Sequence, residues 1–115
     1  MTETYVITGG AGFIGSHIAE RLVRDGHRVR VVDNFTTGKH SNLASVRADI
    51  QLHEVNILDL EALQPIFQGA DCVFHQAALP SVQRSVEDPL TTDAVNVRGT
   101  LNVLLAARDA GVRRV

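Results

Sequence analysis

Residues 4–22 read TYVITGGAGFIGSHIAERL, and the fold turns on what the glycines in this stretch are for. The β-branched run Tyr5-Val6-Ile7-Thr8 reads as a strand. From Phe13 onward Ile14, Ile18 and Leu22 recur at four-residue spacing with Ala19 and Val23 beside them, which predicts a helix over 13–24 with one apolar face. Between the two elements stand Gly9, Gly10, Gly12 and Gly15. Two spacings overlap: Gly10, Gly12 and Gly15 satisfy G-x-G-x-x-G, and Gly9, Gly12 and Gly15 satisfy G-x-x-G-x-x-G. Such a loop admits backbone angles and close approaches that a β-carbon would block. Gly15 lets the helix pack tightly on the sheet, and the helix N-terminus offers unpaired N–H groups to a pyrophosphate. A tight strand-to-helix turn with no ligand would use the same residues, so the surrounding pattern has to decide.

Working outward, further β-branched runs lie at 28–33 (RVRVVD), 50–55 (IQLHEV), 71–75 (DCVFH) and 112–115 (VRRV). Helical patterns fill the gaps. One covers 59–67, with Asp59 as its cap and Gly69 just past its end. Another covers roughly 89–110, with Pro89 in its first turn, Ala94, Val97, Leu101 and Leu104 on one face, and Gly111 as its stop. Strand and helix alternate over connections too long for hairpins, which predicts parallel strands with right-handed crossovers. Strands covered on both faces account for the unbroken apolar character of VIT and CVF. The fold class is α/β, a Rossmann-type doubly wound parallel sheet. The chain ends at Val115 inside the fifth strand, so residues 1–115 read as the N-terminal portion of a longer protein.

Composition narrows the function by exclusion. The formal charge of −2 gives no attraction toward nucleic acid or an anionic membrane. No apolar stretch approaches a bilayer span and no signal-peptide pattern opens the chain, so a cytoplasmic setting is the default expectation. Cys72, the single cysteine, sits in an apolar run and reads as a small buried thiol. The five histidines show no ligand spacing, and no metal site is expected.

The context of the glycines then decides between turn and ligand. They follow a strand, they open a helix, and Asp33 closes the next strand 18 residues after Gly15. A carboxylate there is placed to accept hydrogen bonds from adenosine ribose hydroxyls, and it would repel a 2′-phosphate. Dinucleotide binding follows, with NAD favoured over NADP.

Several ordered motifs carry a resemblance. T-G-G-A-G-F-I-G-S at 8–16, D-N-F-T-T-G-K at 33–39, H-Q-A-A at 75–78 and N-V-R-G-T at 96–100 together resemble the extended short-chain dehydrogenase/reductases. Within that family the chain is most similar to the NAD-dependent nucleotide-sugar epimerases and dehydratases, the UDP-glucose 4-epimerase group above all. The resemblance implies cofactor contacts for Gly9, Gly12, Phe13, Ile14, Gly15, Asp33, Asn34, Gly38, Ala77 and Ala78. It implies the same for Asn56 and Ile57 at the adenine, although the family usually carries an acid where Asn56 stands. Asn96 is implied beneath the cofactor loops, and a purely structural bond to the backbone near Ala77 explains it equally well. Mid-helix Gly99 is expected to pack closely on the sheet. The stretch 79–89 reads as an irregular polar connection. There the family implies that Ser81 and Val82 face a nucleotide-sugar substrate, while Gln83, Arg84 and Ser85 read as a surface loop in which Arg84 pairs with Glu87 or Asp88.

The resembled enzymes act through a tyrosine and a lysine four positions apart. Here the only tyrosine is Tyr5, inside the first strand, and the only lysine is Lys39. No catalytic residue is therefore assigned, and the chain alone is expected to be inactive. Epimerase, dehydratase and decarboxylase share this N-terminal part. A UDP-sugar substrate and a homodimer through the helix at 89–110 are further implications of the resemblance. The competing reading is a non-catalytic dinucleotide-binding sensor or interaction module.

Overall fold

The structure is a computed structural model and describes residues 2–115. Its strands are β1 (Thr4–Thr8), β2 (Arg28–Asp33), β3 (Ile50–Glu54) and β4 (Cys72–His75). They form one parallel sheet in the order β3-β2-β1-β4. Helix α1 (Phe13–Arg24) joins β1 to β2, and two short 3₁₀ turns, His40–Leu43 and Arg47–Asp49, lead into β3. Helix α2 (Leu60–Phe67) joins β3 to β4. After β4 come α3 (Val82–Glu87), α4 (Pro89–Asp93), a π-helical turn (Ala94–Gly99) and α5 (Thr100–Ala110).

Alternation along the strands supplies two cores. Val6, Val32 and Val73 meet Leu63, Phe67, Val103 and Ala107 of α2 and α5 on one face. Ile7, Val29 and Val31 meet Ala19 of α1 and Leu43 and Val46 on the other. Both faces of the sheet are thus covered along β1, as its apolar run Val6-Ile7 requires, while β3 at the sheet edge keeps Gln51 and Glu54 exposed. Asp59 caps α2 by accepting the Ala62 N–H (3.2 Å). The far end of α2 is closed by Arg30 of β2, whose Nη1 donates to the carbonyls of Ile66 (2.8 Å) and Gln68 (2.6 Å).

Several sequence expectations are corrected. The fifth strand is only a single parallel bridge between Cys72 and Arg114, so β4 is left nearly bare on that side and Cys72 is half-buried. Residues 82–87 form a helix, capped by Ser81, whose Oγ accepts the Arg84 N–H (3.2 Å). The stripe Val97, Leu101, Leu104 faces solvent, while α5 buries Asn102, Val103, Ala106 and Ala107. Small side chains let α5 come close to α2 and the sheet, and the π turn shifts the register that a uniform 3.6-residue period assumes. Gly99 is small because of the side chain of Ile57, not the sheet: a β-carbon there would lie 2.7 Å from Ile57 Cγ1. Ile14 also leaves the α1 stripe and is exposed.

Candidate functional site

The carboxyl ends of all four strands open on one cleft. Gly9 and Gly12 line it after β1, Asp33 and Asn34 after β2, Asn56 and Ile57 after β3, and Ala77 and Ala78 after β4. This is the crevice at which open α/β sheets bind ligands. Of the residues singled out in the sequence, Phe13, Ile14, Gly15, Gly38, Ser81, Val82 and Asn96 do not line it.

The glycine loop is built by close backbone approach. Gly9 is left-handed (φ 69°), and a β-carbon on it would lie 2.7 Å from the amide nitrogen of Ala77 across the loop. Gly10 meets the other side: its β-carbon would fall 2.6 Å from Val31 Cγ1. Gly15 abuts the turn and not the sheet, because a β-carbon there would lie 2.8 Å from Gly10 Cα and closer still to the Gly9 carbonyl. The expected helix-on-sheet contact is thus a helix-on-loop contact. No side chain caps α1 at Gly12, so the first-turn N–H groups of Phe13, Ile14 and Gly15 have no partner within the helix. The side chains of Phe13 and Ile14 point away and are exposed.

Asp33 ties this loop to the next. It is buried, its Oδ2 accepts the Ala11 N–H (3.0 Å) and its Oδ1 accepts the Phe35 N–H (2.7 Å). Each carboxylate oxygen keeps further acceptor capacity toward the cleft. Gly38 runs over the carboxylate, where a β-carbon would sit 2.8 Å from Asp33 Oδ2. Its role is to cover Asp33, which a longer side chain would displace. The Ala11 carbonyl accepts from Lys39 N–H (3.0 Å) and Asn42 Nδ2 (2.8 Å), completing the junction. Phe35 adopts a left-handed φ of 59° and stacks on His40 at 3.9 Å between ring centroids.

Asn56 accepts the Leu58 N–H on its Oδ1 (2.9 Å), an oxygen that keeps a second acceptor site, and the rest of its side-chain amide is left free in this turn. Ile57 is buried against Gly99, and its carbonyl accepts from Asn102 Nδ2 (3.0 Å). Asn96 grips the backbone of Leu79 in both directions: Oδ1 accepts its N–H (2.7 Å) and Nδ2 donates to its carbonyl (3.0 Å). The backbone bond expected for Asn96 near Ala77 is thus made, with Leu79 in place of Ala77.

A polar chain beneath the cleft joins these walls. The buried Thr8 Oγ1 accepts the N–H groups of Gln76 (3.1 Å) and Ala77 (3.2 Å) and lies 2.6 Å from His75 Nδ1. Its own proton therefore goes to His75 Nδ1, which makes Nε2 the protonated nitrogen. His75 Nε2 lies 2.9 Å from Thr100 Oγ1, which donates to the Asn96 carbonyl (2.8 Å). Burial pushes the His75 pKa down from its ordinary value, in keeping with a neutral ring that has one accepting and one donating nitrogen.

Residues not assigned to a site from sequence also line the cleft, among them Thr36, Thr37, Gln76, Arg84, Thr91 and Val95. Thr36 and Thr37 stand inside the D-N-F-T-T-G-K motif with no signal of their own, and Arg84 and Thr91 depend on helices that the polar stretch 79–89 conceals. Among the described residues no group of three or more His, Cys, Asp or Glu side chains is placed to hold a metal, and no helix is long and apolar enough to cross a membrane.

A doubly wound sheet with a glycine loop, a strand-end carboxylate and a cleft across the strand ends defines the class of nucleotide-binding α/β domains. Comparison with known proteins carries this further. The family model described as the NAD dependent epimerase/dehydratase family matches residues 5–115, and the chain belongs to that family. It is 41% identical over 107 residues to a UDP-N-acetyl-alpha-D-glucosaminuronate decarboxylase of Bacillus cytotoxicus, a match covering 93% of this chain and 33% of that protein. It superposes on the UDP-glucose 4-epimerase of Thermus thermophilus in complex with NAD with a TM-score of 0.85 and 43% identity, over 95% of this chain and 35% of that one. It superposes on the dTDP-glucose 4,6-dehydratase of Streptomyces venezuelae, also with NAD bound, with a TM-score of 0.92 and 36% identity, over 97% and 38%. The chain spans between a quarter and somewhat over a third of the length of the relatives it matches.

Proposed function

We propose that this chain is the NAD-binding part of an enzyme that modifies a nucleotide sugar, with UDP-glucose 4-epimerase-like activity as the specific assignment. The observation that carries it is the buried Asp33 carboxylate, held by the Ala11 and Phe35 amides at the cleft beside a glycine loop too tight for any β-carbon at Gly9. NAD fits these residues. The unpaired first-turn amides of α1 would take the pyrophosphate, and Asp33 with Asn34 would take the adenosine ribose. Asn56 would meet the adenine through its free amide, and the short side chains of Ala77 and Ala78 would leave room for the ligand along β4. When bound, NAD supplies a hydride acceptor. This chain's residues bind and orient it.

Proton transfer is assigned to a tyrosine–lysine pair outside this chain, since Tyr5 lies in β1 and packs edge-on against His27 (5.1 Å between centroids), and Lys39 lies in a loop. Ser81, at the cap of α3, and Val82, exposed beside it, stand as substrate contacts on resemblance alone. The 41% identity to a decarboxylase keeps decarboxylation as the second reading of the reaction. The solvent-facing stripe of Val97, Leu101 and Leu104 supports a homodimer.

Asp33→Ala tests the cofactor assignment. Loss of charge-assisted hydrogen bonds should weaken NAD binding by about 1–3 kcal/mol, and discrimination against NADP should narrow. Calorimetry reads both. Unchanged affinity for NAD would remove Asp33 from the site.

A further inference from the structure

Among the described residues Arg84 is the one cation lining the cleft, and no side chain of that lining is aromatic. A surface arginine on a helix ordinarily pairs with an acid three or four residues on. Here Glu87 accepts from Gln83 Nε2 (3.0 Å), and Asp88 accepts the Thr91 N–H (3.2 Å) to cap α4. Among the described residues no ion pair includes Arg84.

The strand order gives the cleft a direction. With the glycine loop after β1, Asp33 after β2 and Asn56 after β3, the adjacent ends of β1, β2 and β3 would take phosphate, ribose and base in turn. The base end is therefore the Asn56–Leu58 loop. The opposite wall is anchored on that same loop, because Gly99 packs on Ile57 and Asn102 bonds its carbonyl. One helical turn before Gly99 is Val95, and another turn back is Thr91. Beyond them the Arg84 carbonyl accepts the Asp88 N–H (2.8 Å), so Arg84 continues this wall toward the cleft rim.

We propose that Arg84 recognises the purine ring of the bound dinucleotide, its planar guanidinium lying against the base opposite the Asn56–Leu58 loop. A guanidinium is flat, weakly hydrated and stacks on aromatic faces, which suits a base that finds no aromatic side chain in this cleft. The inference rests on the NAD assignment above.

The test is NAD binding by the purified protein and by its Arg84→Ala, Arg84→Lys and Asp33→Ala variants, by calorimetry at low and high salt. Arg84→Ala should weaken binding about fivefold at both salt concentrations, because stacking is little screened, and lysine should restore only part of the loss. Full rescue by lysine together with a loss that vanishes at high salt would place Arg84 on a phosphate and overturn the proposal. No change in either Arg84 variant, while Asp33→Ala still weakens binding, would overturn it and leave the NAD assignment standing. Failure of the unaltered protein to bind NAD would remove that assignment, and this inference with it.

Discussion

Replacing Gly9 by alanine should cost more than any other single glycine substitution in the loop-and-turn positions that are left-handed. Two penalties add. The left-handed backbone (φ 69°) costs an L-residue roughly 1–2 kcal/mol. The new β-carbon would also lie 2.7–2.9 Å from Ala77 N, Gln76 C and Ala77 Cα, all backbone atoms that cannot swing aside. The expected total is about 3 kcal/mol or more, a fall in Tm of at least ~10 °C for a domain of this size. Gly26 provides the internal control. It is also left-handed (φ 86°), yet nothing lies within 4 Å of the point a β-carbon would occupy, so Gly26→Ala should show the strain alone. Thermal unfolding of the two variants separates clash from strain. Equal losses would mean that the loop and the β4 end are not held this close.

The second large effect is expected at Thr8, which is wholly buried under the cleft. Thr8→Val keeps the shape of the side chain and removes its oxygen. The Gln76 N–H still reaches the Thr8 carbonyl (3.0 Å), but the Ala77 N–H and His75 Nδ1 lose their partner. Two unsatisfied polar groups should cost about 2–4 kcal/mol. Thr8→Ser should recover most of this, because the hydroxyl alone carries the network. The pH dependence has a fixed sign. Burial holds the folded pKa of His75 below its unfolded value of about 6.5, so the unfolded chain binds more protons just below that pH. Stability is then full above about pH 6.5 and falls as the pH drops through the folded pKa. Urea denaturation across this window checks both the variant and the sign. A Thr8→Val protein as stable as the parent would contradict the hydrogen-bond assignment.

Much of this architecture can be read from residue patterns, for definite reasons. The strands show as β-branched runs because both sheet faces are covered, and Asp33 shows because a single acid closes the run of valines at 29, 31 and 32. Helix α1 shows through Ile18 and Leu22. The failures are equally physical. Helix α3 hides because Val82 and Val86 face solvent, so no core-facing period marks it. The inner face of α5 hides because it is made of Ala106, Ala107, Val103 and an asparagine, while its largest apolar side chains point outward. The fifth-strand reading rests on Val112 and Val115, but Arg113 and Arg114 stand between them, and alongside β4 only one bridge forms. Arg84 is the sharpest case. Its place in the cleft depends on Glu87 and Asp88 being held by Gln83 and the Thr91 amide, which no spacing rule reveals.

The proposed NAD site is the cleft across the strand ends. The most direct measurement is an NMR titration of the protein with NAD, following the backbone amides. Saturation is expected at one NAD per chain, with amides of the glycine loop and first turn of α1, of Asp33 and Asn34, of the Asn56–Leu58 turn and of Ala77–Leu79 shifting on a single binding curve. A titration without saturation, or shifts confined to residues away from the strand ends, would contradict it.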